Sequence, residues 1–332
     1  MKNLSSPTTE NYLKARELLI NDEVVVFPTE TIYGLGANAL SDKAAKRIFQ
    51  LKGRPSDNPL IVHLGAKEQI SDYAFIENEI QQRIIDKLMP GPITLLLQKK
   101  ENISSIVCPV PLVGIRLPSN QIAHDFLTTV QLPIAAPSAN ISGKASPTNA
   151  QMVYDNLGEN VPMIIDGGES EAGIESTVVR VMNRNIQILR PGFVTKEDIE
   201  TCFDGKIEVN YTHENPELSP GMRYKHYSIS GSVVIVNEEG LAMRNWENKE
   251  NKKIGFLITQ EIYNKNQTFF SNVLFKIWGT HSNLAICAHN LFDMYHYFDK
   301  EGVDVLYVEE LPEVGIGYSI MNRVKRSAEI EK

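Results

Sequence analysis

An alternation of strand-like and helix-like segments begins near residue 8, stops after residue 203 and starts again at residue 232. The interval between the two stretches contains proline, glycine, histidine and tyrosine but almost no aliphatic periodicity. At 332 residues the chain is also longer than one hydrophobic core usually supports. We therefore predict two domains, at residues 8–203 and 232–330, joined by a linker at residues 204–231.

The first predicted domain mixes strands and helices in an irregular order. Residues 23–27 are apolar and β-branched and stop at Pro28, which predicts a strand followed by a polar loop at residues 29–36. Residues 41–52 have a helical period and end at Gly53. This order favours an α/β fold with a twisted mixed sheet and flanking helices over a strict βαβ repeat. Further strands are predicted at residues 60–64, 93–98, 113–117, 133–136, 163–165, 176–181 and 186–189.

The second predicted domain is a smaller parallel α/β domain of Rossmann-like type. Its apolar segments and helical segments alternate more regularly than those of the first, as a parallel sheet requires. The predicted strands are residues 233–236, 254–258, 273–277 and 303–308, and the predicted helices are residues 283–299 and 320–327.

Charge and composition exclude several classes of protein. The net charge of −8 argues against a protein that coats nucleic acid, because such binding comes mainly from many lysines and arginines. Cys108, Cys202 and Cys287 lie far apart and form no CxxC pair, so neither a disulfide framework nor a zinc cluster is indicated. Residues 1–10 are polar, and no apolar run approaches the roughly 20 residues that span a bilayer. We expect a cytoplasmic protein without a membrane segment.

Basic side chains interrupt the apolar runs at the ends of predicted elements. Lys52 closes a helix, and Arg54 lies between glycine and proline in the turn that follows. A lysine at a helix C-terminus can interact with the helix dipole alone, and an arginine in such a turn can form a surface salt bridge. Both side chains also fit the recognition of phosphate, because a rigid turn preorganises the guanidinium group. These residues alone leave both interpretations open.

Arginines also stand at the ends of predicted strands. Arg116 shares one strand face with Gly114, which leaves room for a ligand, although an ion pair on an edge strand fits as well. Arg190 repeats the pattern at another strand end. Several guanidinium groups at strand ends, in a chain of net charge −8, indicate a local anion site for more charge than one carboxylate. A nucleoside triphosphate satisfies this requirement.

Loops of small polar residues give a weaker signal. Residues 137–143 carry hydroxyl and amide side chains that can bind sugar or phosphate oxygens, but such residues also form turns without any ligand. Residues 166–168 and 173–177 resemble glycine loops that bind anions. Neither a Walker lysine motif nor a Rossmann glycine fingerprint accompanies them.

Five separated motifs stand out in the first predicted domain. They are Pro28-Thr29-Glu30-Thr31-Ile32-Tyr33-Gly34-Leu35-Gly36, Lys52-Gly53-Arg54-Pro55 with Asn58-Pro59-Leu60-Ile61-Val62-His63, Pro90-Gly91-Pro92-Ile93-Thr94, Arg116-Leu117-Pro118, and Ser138-Ala139-Asn140. Motifs in this order are typical of the YrdC-type domain, and the chain resembles that family over residues 8–195. Residues 219–227 are aromatic and basic, and with residues 315–323 they resemble the long, two-domain form of the threonylcarbamoyl-AMP synthase family.

The resemblance implies a nucleotidyltransferase that converts L-threonine, bicarbonate or CO₂, and ATP into threonylcarbamoyl-AMP and pyrophosphate. A downstream threonylcarbamoyl transferase complex would use the product to build N6-threonylcarbamoyladenosine (t6A) in tRNA. Contact of this chain with tRNA would be weak or indirect. Mg²⁺ would accompany ATP as a cofactor, and the sequence identifies no residue that binds the metal.

The resemblance also implies roles for individual residues. Arg116 would bind the carboxylate of L-threonine, and His63 would act as a base, as a hydrogen-bonding group or only as a satisfied core residue. Lys52 and Arg54 would carry the catalytic role. The implied L-threonine site is Thr31, His63, Arg116, Ala136 and Ser176. The implied ATP site is Lys52, Arg54, Asn58, Leu112, Ser138, Asn140, Ser146, Arg190 and Tyr227, with Leu112 and Ser146 placed by approximate spacing and Tyr224 as the alternative to Tyr227.

Two other functions compete with this one. An isolated YrdC-type domain could act as an RNA-binding module, but such a module would not need the set of residues implied for threonine. Related domains also occur in carbamoyl-transferring proteins, which carry additional acylphosphatase, zinc-finger or kinase-like parts. The cysteine spacing and the length of this chain do not fit those parts.

Overall fold

The computed structural model describes residues 2–212, 226–242, 252–271 and 273–328. The chain divides into two compact units. The first unit is Met1–Ser142 with Ser146–Tyr224, and the second unit is Gly143–Ala145 with Lys225–Lys332. Each unit has a sheet of its own.

The first unit contains a large mixed sheet with helices packed against it, as predicted. The strand order is β1-β9-β2-β3-β8-β4-β7-β6-β10-β11-β12, and β5 pairs with β6. The strands are β1 (Leu4–Ser5), β2 (Val25–Phe27), β3 (Gly34–Asn38), β4 (Ile61–His63), β5 (Ala74–Phe75), β6 (Ile93–Lys99), β7 (Leu112–Arg116), β8 (Ile134–Ala135), β9 (Ile164–Ile165), β10 (Thr177–Met182), β11 (Asn185–Arg190) and β12 (Val209–Tyr211). The helices are α1 (Thr9–Ile20), α2 (Asp42–Lys52), α3 (Ile70–Tyr73), α4 (Glu79–Leu88), α5 (Gln121–Val130), α6 (Ala150–Leu157) and α7 (Lys196–Cys202).

Helix α1 shows how the amphipathic pattern fixes local packing. Thr8 accepts a hydrogen bond from the backbone N–H of Asn11 and so caps the first turn. Tyr12, Ala15 and Leu19 are the buried positions of the helix, and they recur with a spacing that keeps them on one face. These residues pack with α5 and with the strand β2 in one hydrophobic cluster. The cluster therefore holds β2, which leads directly into the loop at residues 29–32.

Strand β3 lies where the sequence predicts a loop. It carries glycine at residues 34 and 36 and has no β-branched side chain, so composition gives no strand signal. A Cβ atom at Gly36 would come within 2.7 Å of Ile134 Cγ2 and 3.2 Å of the Val25 carbonyl oxygen. Glycine thus permits the close packing of β3 between β2 and β8.

The range predicted as a linker is partly folded into the first unit. Strand β12 lies within residues 204–231 and pairs in parallel with β11. Residues 213–225, the middle of the predicted linker, lie outside the part of the chain that the structure describes. The alternative tyrosine, Tyr224, falls in this range.

The second unit is a four-stranded parallel sheet, as predicted. Its strand order is β13-β16-β14-β15. The strands are β13 (Ser232–Val236), β14 (Ile254–Thr259), β15 (Leu274–Gly279) and β16 (Val305–Glu309), and the helices are α8 (Glu238–Ala242), α9 (Gln260–Lys265), α10 (Gln267–Phe270), α11 (Leu284–Glu301) and α12 (Ile316–Ala328). Among the residues described, no helix has the length and apolar character that crossing a bilayer requires.

Two leucines of α1 provide a matched test of this packing. Leu19 is fully buried, whereas Leu13 is 51% exposed. Leu19→Ala should lower the free energy of unfolding by about 2–5 kcal/mol, because it removes buried methyl groups and leaves a cavity. Leu13→Ala, the same change on the same helix, should stay within about 0.5 kcal/mol of the wild type. Urea unfolding followed by circular dichroism measures both, and equal losses would contradict the assigned face.

Candidate functional site

The sheet of the first unit brings polar side chains to one of its ends. His63 and Arg116 are the last residues of the parallel strands β4 and β7 and pair directly in register. Strand β6 runs antiparallel to β7, so Thr94, near its start, lies at the same end. Strand β10 is parallel to β6 and β11 is antiparallel to β10, which adds Ser176 and Arg190. Five polar residues that are distant in sequence therefore lie at the same end of the sheet's strands.

The loop after β2 reaches this edge through its threonines. Thr29 Oγ1 lies 2.8 Å from Thr31 Oγ1 and donates to the Ile32 carbonyl oxygen at 2.7 Å. The Nη2 atom of Arg116 donates a hydrogen bond to Thr29 Oγ1 at 3.4 Å. The loop is held by its own side chains, so the Thr31 hydroxyl has a fixed position.

A buried ion pair joins the same loop to β7. Glu30 Oε1 lies 2.9 Å from the Nη2 atom of Arg116, and both side chains are 5% exposed. Despite this short distance, neither carboxylate oxygen of Glu30 has a hydrogen bond of acceptable geometry within the described ranges, and neither does Arg116 Nε. The pair is therefore a charge contact with hydrogen-bonding capacity left over.

His63 is neutral in this setting. Burial, and next the positive charge of Arg116, lower the pKa of His63 to about 3. Its ring packs edge-on against Phe27, and its Nδ1 atom has no hydrogen-bond partner in the ranges described. Of the roles left open for His63, that of a base near neutral pH is disfavoured, because so low a pKa means a weak affinity for protons.

Ser176 is the centre of a second group at the same edge. Its Oγ atom lies 2.8 Å from Thr94 Oγ1 and accepts a hydrogen bond from Arg190 at 3.1 Å. Arg190 also donates to the Ser176 carbonyl oxygen at 2.9 Å. Ser176 and Arg190 are thus in direct contact, although the family resemblance assigns Ser176 to the L-threonine site and Arg190 to the ATP site.

Lys52 contacts the loop that carries the Ser138 and Asn140 motif. Its Nζ atom donates to the backbone carbonyl oxygens of both residues. Lys52 is 1% exposed, and burial, with the nearby charge of Arg54, lowers the pKa of its ammonium group well below the usual value. In this arrangement Lys52 holds the loop in place, which is a positioning role.

Arg54 and Asn58 lie together in the turn after α2. Arg54 is 8% exposed and donates to the backbone carbonyl oxygens of Asn58 and Pro59 at 3.4 and 3.2 Å. Asn58 is buried, and its Nδ2 atom has no hydrogen-bond partner in the part of the chain that the structure describes. Buried polar atoms nearly always have partners, so such an atom indicates a place where a ligand or water binds.

Buried charge in the first unit is predominantly basic. Its described residues include five basic side chains at or below 9% exposure, and two acidic ones, Glu30 and Glu175. Burying uncompensated charge is unfavourable, so an excess of buried cations favours an anionic ligand. The basic residues are Lys52, Arg54, Arg116, Arg180 and Arg190.

Tyr33 connects the loops around these groups. Its backbone N–H donates to the Pro147 carbonyl oxygen, and its carbonyl oxygen accepts from the Ala139 N–H, each at 2.9 Å. Its hydroxyl donates to the Gly168 carbonyl oxygen at 2.7 Å and accepts from the Gly167 N–H at 3.0 Å. One fully buried residue, through its backbone and its hydroxyl, therefore fixes several loops relative to one another.

The remaining predicted site residues fall in different places. Ala136 is buried, and its backbone N–H donates to the Ile61 carbonyl oxygen. Ser146 Oγ donates to Glu175 Oε1 at 2.8 Å, next to Ser176 in the chain. Leu112 begins β7, four residues before Arg116, and so lies about 13 Å from it along the strand.

Tyr227 belongs to the second unit. Its ring stacks on Phe292 with centroids 5.1 Å apart, and the residue is 4% exposed. Its φ of 65° lies in the left-handed region, which is uncommon for a residue other than glycine. The sequence prediction that Tyr227 or Tyr224 contacts ATP stays a prediction.

Two features of the site differ from the sequence-based expectation. Gly114 does not leave space for a ligand, because a Cβ there would meet Thr94 Cγ2 at 3.0 Å and Leu96 Cδ2 at 3.4 Å. The glycine instead lets the neighbouring strands pack. The buried carboxylates of Glu30 and Glu175 were absent from the predicted set. A charged residue between two threonines directly after a buried strand was a signal that could have identified Glu30.

The described residues contain no group of three or more histidine, cysteine, aspartate or glutamate side chains arranged to hold a metal ion. Of the two buried acidic residues at the site, Glu30 forms an ion pair with Arg116 and Glu175 accepts a hydrogen bond from Ser146. These residues do not resemble the all-oxygen clusters that bind Mg²⁺ directly.

Two protein-family models match consecutive parts of the chain. A model described as "Telomere recombination" matches residues 17–192. A model described as "Threonylcarbamoyl-AMP synthase, C-terminal domain" matches residues 194–329. Together the two matches cover most of the chain.

Curated proteins and solved structures agree with these matches. A threonylcarbamoyl-AMP synthase of Pyrococcus abyssi is 37% identical over 92% of this chain and 90% of its own length. A protein of the same name from Bacillus subtilis is 38% identical over 95% of this chain and 92% of its own length. The crystal structure of P. abyssi Sua5 complexed with L-threonine superposes with a TM-score of 0.88 at 33% identity, covering 98% of this chain and 97% of that one.

The lowered pKa of His63 predicts a pH-dependent stability. The unfolded chain takes up a proton near pH 6.5, whereas the folded protein resists protonation down to about pH 3. Stability is therefore lost as the pH falls through this window, and the His63 contribution to that loss is about 2 kcal/mol at pH 5. His63→Gln should lose less stability than the wild type between pH 8 and pH 5 in urea unfolding. The difference at pH 8 serves as the baseline, and identical pH profiles would contradict the prediction.

Proposed function

This chain belongs to the threonylcarbamoyl-AMP synthase family, and from that membership we propose that it is an L-threonylcarbamoyladenylate synthase. In this reaction L-threonine, bicarbonate or CO₂, and ATP give threonylcarbamoyl-AMP and pyrophosphate. The observation that carries the proposal is the excess of buried basic side chains in the first unit, together with buried polar atoms of Glu30, Asn58 and His63 that have no hydrogen-bond partner among the described residues.

The amino-acid substrate is placed at the ends of β4 and β7. Arg116 would bind the carboxylate through its guanidinium group, which matches a carboxylate in shape and charge. Thr31, His63, Ala136 and Ser176 would line the rest of the subsite. Support comes from the His63 and Arg116 pairing in register, the fixed Thr31 hydroxyl, and a relative whose structure is described as complexed with L-threonine.

The nucleotide is placed against the turn after α2 and the loop of residues 138–146. Arg54 and Arg190 would offset charge on the phosphates, and Asn58, whose Nδ2 atom has no hydrogen-bond partner in the described ranges, would donate a hydrogen bond. Lys52 would act by fixing the carbonyl groups of Ser138 and Asn140. Asn140, Ser138, Ser146 and Leu112 complete the proposed ATP site within the first unit, and the contact of Tyr227 with ATP stays a prediction from the sequence.

The chemistry depends on holding two reactants together. The threonine nitrogen forms a bond to the carbon of bicarbonate or CO₂, giving a carbamate with loss of protons and, from bicarbonate, of water. A carbamate oxygen then attacks the α-phosphorus of ATP, and the bond to the pyrophosphate oxygen breaks. Free carbamates revert readily, so the protein would act by proximity and by exclusion of water rather than through a covalent intermediate.

Mg²⁺ would arrive with the phosphates of ATP as part of the substrate. It binds few protein groups in such complexes and retains several waters, which suits a site without a carboxylate cluster among the described residues. The product would pass to a transferase complex that forms t6A in tRNA, and any tRNA contact of this chain would be weak or indirect in view of its net charge of −8.

The proposed reaction is tested by measuring pyrophosphate release with all three substrates and with each left out in turn. Release should require L-threonine, bicarbonate and ATP together, and mass spectrometry should detect threonylcarbamoyl-AMP. Release that does not depend on threonine would contradict the synthase function. Filter binding of tRNA with and without ATP examines the competing RNA-binding function, which predicts tight binding that no substrate affects.

Arg54→Ala tests the proposed phosphate contact. Loss of one preorganised cationic donor should lower the rate of pyrophosphate release by about 10²–10³-fold. Arg47→Ala is the matched control. Arg47 lies on α2, the helix that precedes the turn with Arg54, but it pairs with Glu23 at the surface and its side chain is 38% exposed. Its rate should stay within about twofold of the wild type. Equal rates for the two variants, at unchanged thermal stability, would refute the role of Arg54.

A further inference from the structure

The buried ion pair between Glu30 and Arg116 leaves hydrogen-bonding capacity unsatisfied on both partners among the described residues. Both side chains are 5% exposed, yet neither Glu30 oxygen has a hydrogen-bond donor of acceptable geometry in the described part of the chain. A buried carboxylate normally gains several hydrogen bonds that compensate for its lost hydration. The Glu30 carboxylate is therefore ready to accept a donor that the described residues of the protein do not provide.

An α-amino acid carries two charges that must both be met in a buried site. Its carboxylate matches Arg116, but its ammonium group requires an anion or several acceptors. Among the described residues of the first unit, two carboxylates are buried to this degree, Glu30 and Glu175. Glu175 already accepts a hydrogen bond from Ser146 at 2.8 Å. Glu30 is the one that contacts Arg116 and has both oxygens available for a new donor.

His63 does not serve the ammonium group as a charged partner. Burial and the charge of Arg116 lower its pKa to about 3, so the ring is neutral over the physiological range. The hydroxyl of Thr31 is engaged with Thr29 at 2.8 Å. Neither group supplies the negative charge that a buried ammonium group needs.

We propose that Glu30 binds the α-ammonium group of the amino-acid substrate. On binding, the substrate carboxylate takes the place of Glu30 on Arg116, and the freed Glu30 carboxylate pairs with the ammonium group. One internal ion pair is exchanged for two ion pairs with the ligand, so the buried charges remain balanced. The proposal rests on the proposed function, since it assigns a residue within the threonine subsite.

This exchange makes Glu30 a determinant of specificity. A ligand with the carboxylate but no amine would have to separate Glu30 from Arg116 without offering a new partner. Leaving a buried carboxylate unpaired is strongly unfavourable, so such a ligand should bind poorly. A contrary arrangement, in which Glu30 only occupies Arg116 until a substrate displaces it, predicts that removing the charge of Glu30 strengthens binding.

Isothermal titration calorimetry of the full chain distinguishes the two arrangements. The ligands are L-threonine and 2,3-dihydroxybutanoate, in which a hydroxyl replaces the amine. Glu30→Gln should weaken L-threonine binding by roughly 10- to 100-fold, the range expected for loss of a charge-assisted hydrogen bond. The same variant should bind the analogue as well as or better than the wild type, because Arg116 loses its internal partner. The preference for threonine over the analogue should therefore collapse.

Two further variants complete the experiment. Glu23→Gln is the matched control, because Glu23 also pairs with an arginine, Arg47, at 2.7 Å but with both side chains more than one third exposed. It should bind both ligands as the wild type does. Glu30→Asp keeps the charge on a shorter side chain and should lower the preference for threonine by less than the glutamine variant does. If thermal melting shows Glu30→Gln to be unfolded, the preference measured with Glu30→Asp decides.

The outcomes separate this inference from the proposed function. If the wild type binds no threonine, the proposed function fails and the role of Glu30 with it. If the wild type binds threonine and the Glu30 variants retain its preference over the analogue, only the role of Glu30 is overturned. Tighter threonine binding by Glu30→Gln would likewise overturn it, in favour of simple occupation of Arg116.

Discussion

The buried ion pair between Glu30 and Arg116 is the interaction on which the site depends. Two charges withdrawn from water must be held at a short distance, or their mutual attraction cannot offset the lost hydration. The structure meets this condition with rigid elements, since Arg116 ends a strand inside the sheet and Glu30 lies in a loop tied by Thr29. Within the described part of the chain, both Glu30 carboxylate oxygens and Arg116 Nε lack the hydrogen bonds that usually accompany such burial. A charged ligand would satisfy the hydrogen-bonding atoms that this ion pair leaves without partners among the described residues.

The proposed nucleotide side of the site follows the same principle in a different form. Lys52 places its ammonium group against backbone carbonyls, so a buried basic residue supports the geometry of a loop. Tyr33 joins that loop, to which Pro147 also belongs, to its own loop and to the loop of Gly167 and Gly168 through its backbone and its hydroxyl. An enzyme that must keep a labile carbamate beside a phosphate gains from such rigidity, because small displacements of the reactants lower the rate steeply. The fold and the proposed chemistry therefore require the same preorganisation.

Much of the fold could be predicted from the sequence because its elements carry strong local signals. The predicted strands of both units are present, each within two residues at either end, and both sheets have the predicted character. Strand β3 was missed because Gly34 and Gly36 are selected by close packing between strands, a tertiary property. Strand β12 was missed because the break in aliphatic periodicity hid three residues that pair with β11.

The candidate site divides in the same way. The basic residues stood out because arginine interrupts apolar strands, and the resemblance to a family gave most of the set. Local sequence could not show that Lys52 bonds to carbonyls 86 and 88 residues away, or that Gly114 accommodates a neighbouring strand rather than a ligand. Glu30 was not predicted from the sequence, because only the packed structure shows that no hydrogen-bond donor among the described residues reaches its carboxylate oxygens.

The central claim is that one edge of the first unit's sheet binds an amino acid beside a nucleoside triphosphate. The most direct measurement is a crystal structure of the protein with L-threonine and a non-hydrolysable ATP analogue. The account predicts the threonine carboxylate within hydrogen-bond distance of Arg116 and the phosphates within reach of Arg54. Ligands bound elsewhere, with both arginines retaining their present protein contacts, would contradict it.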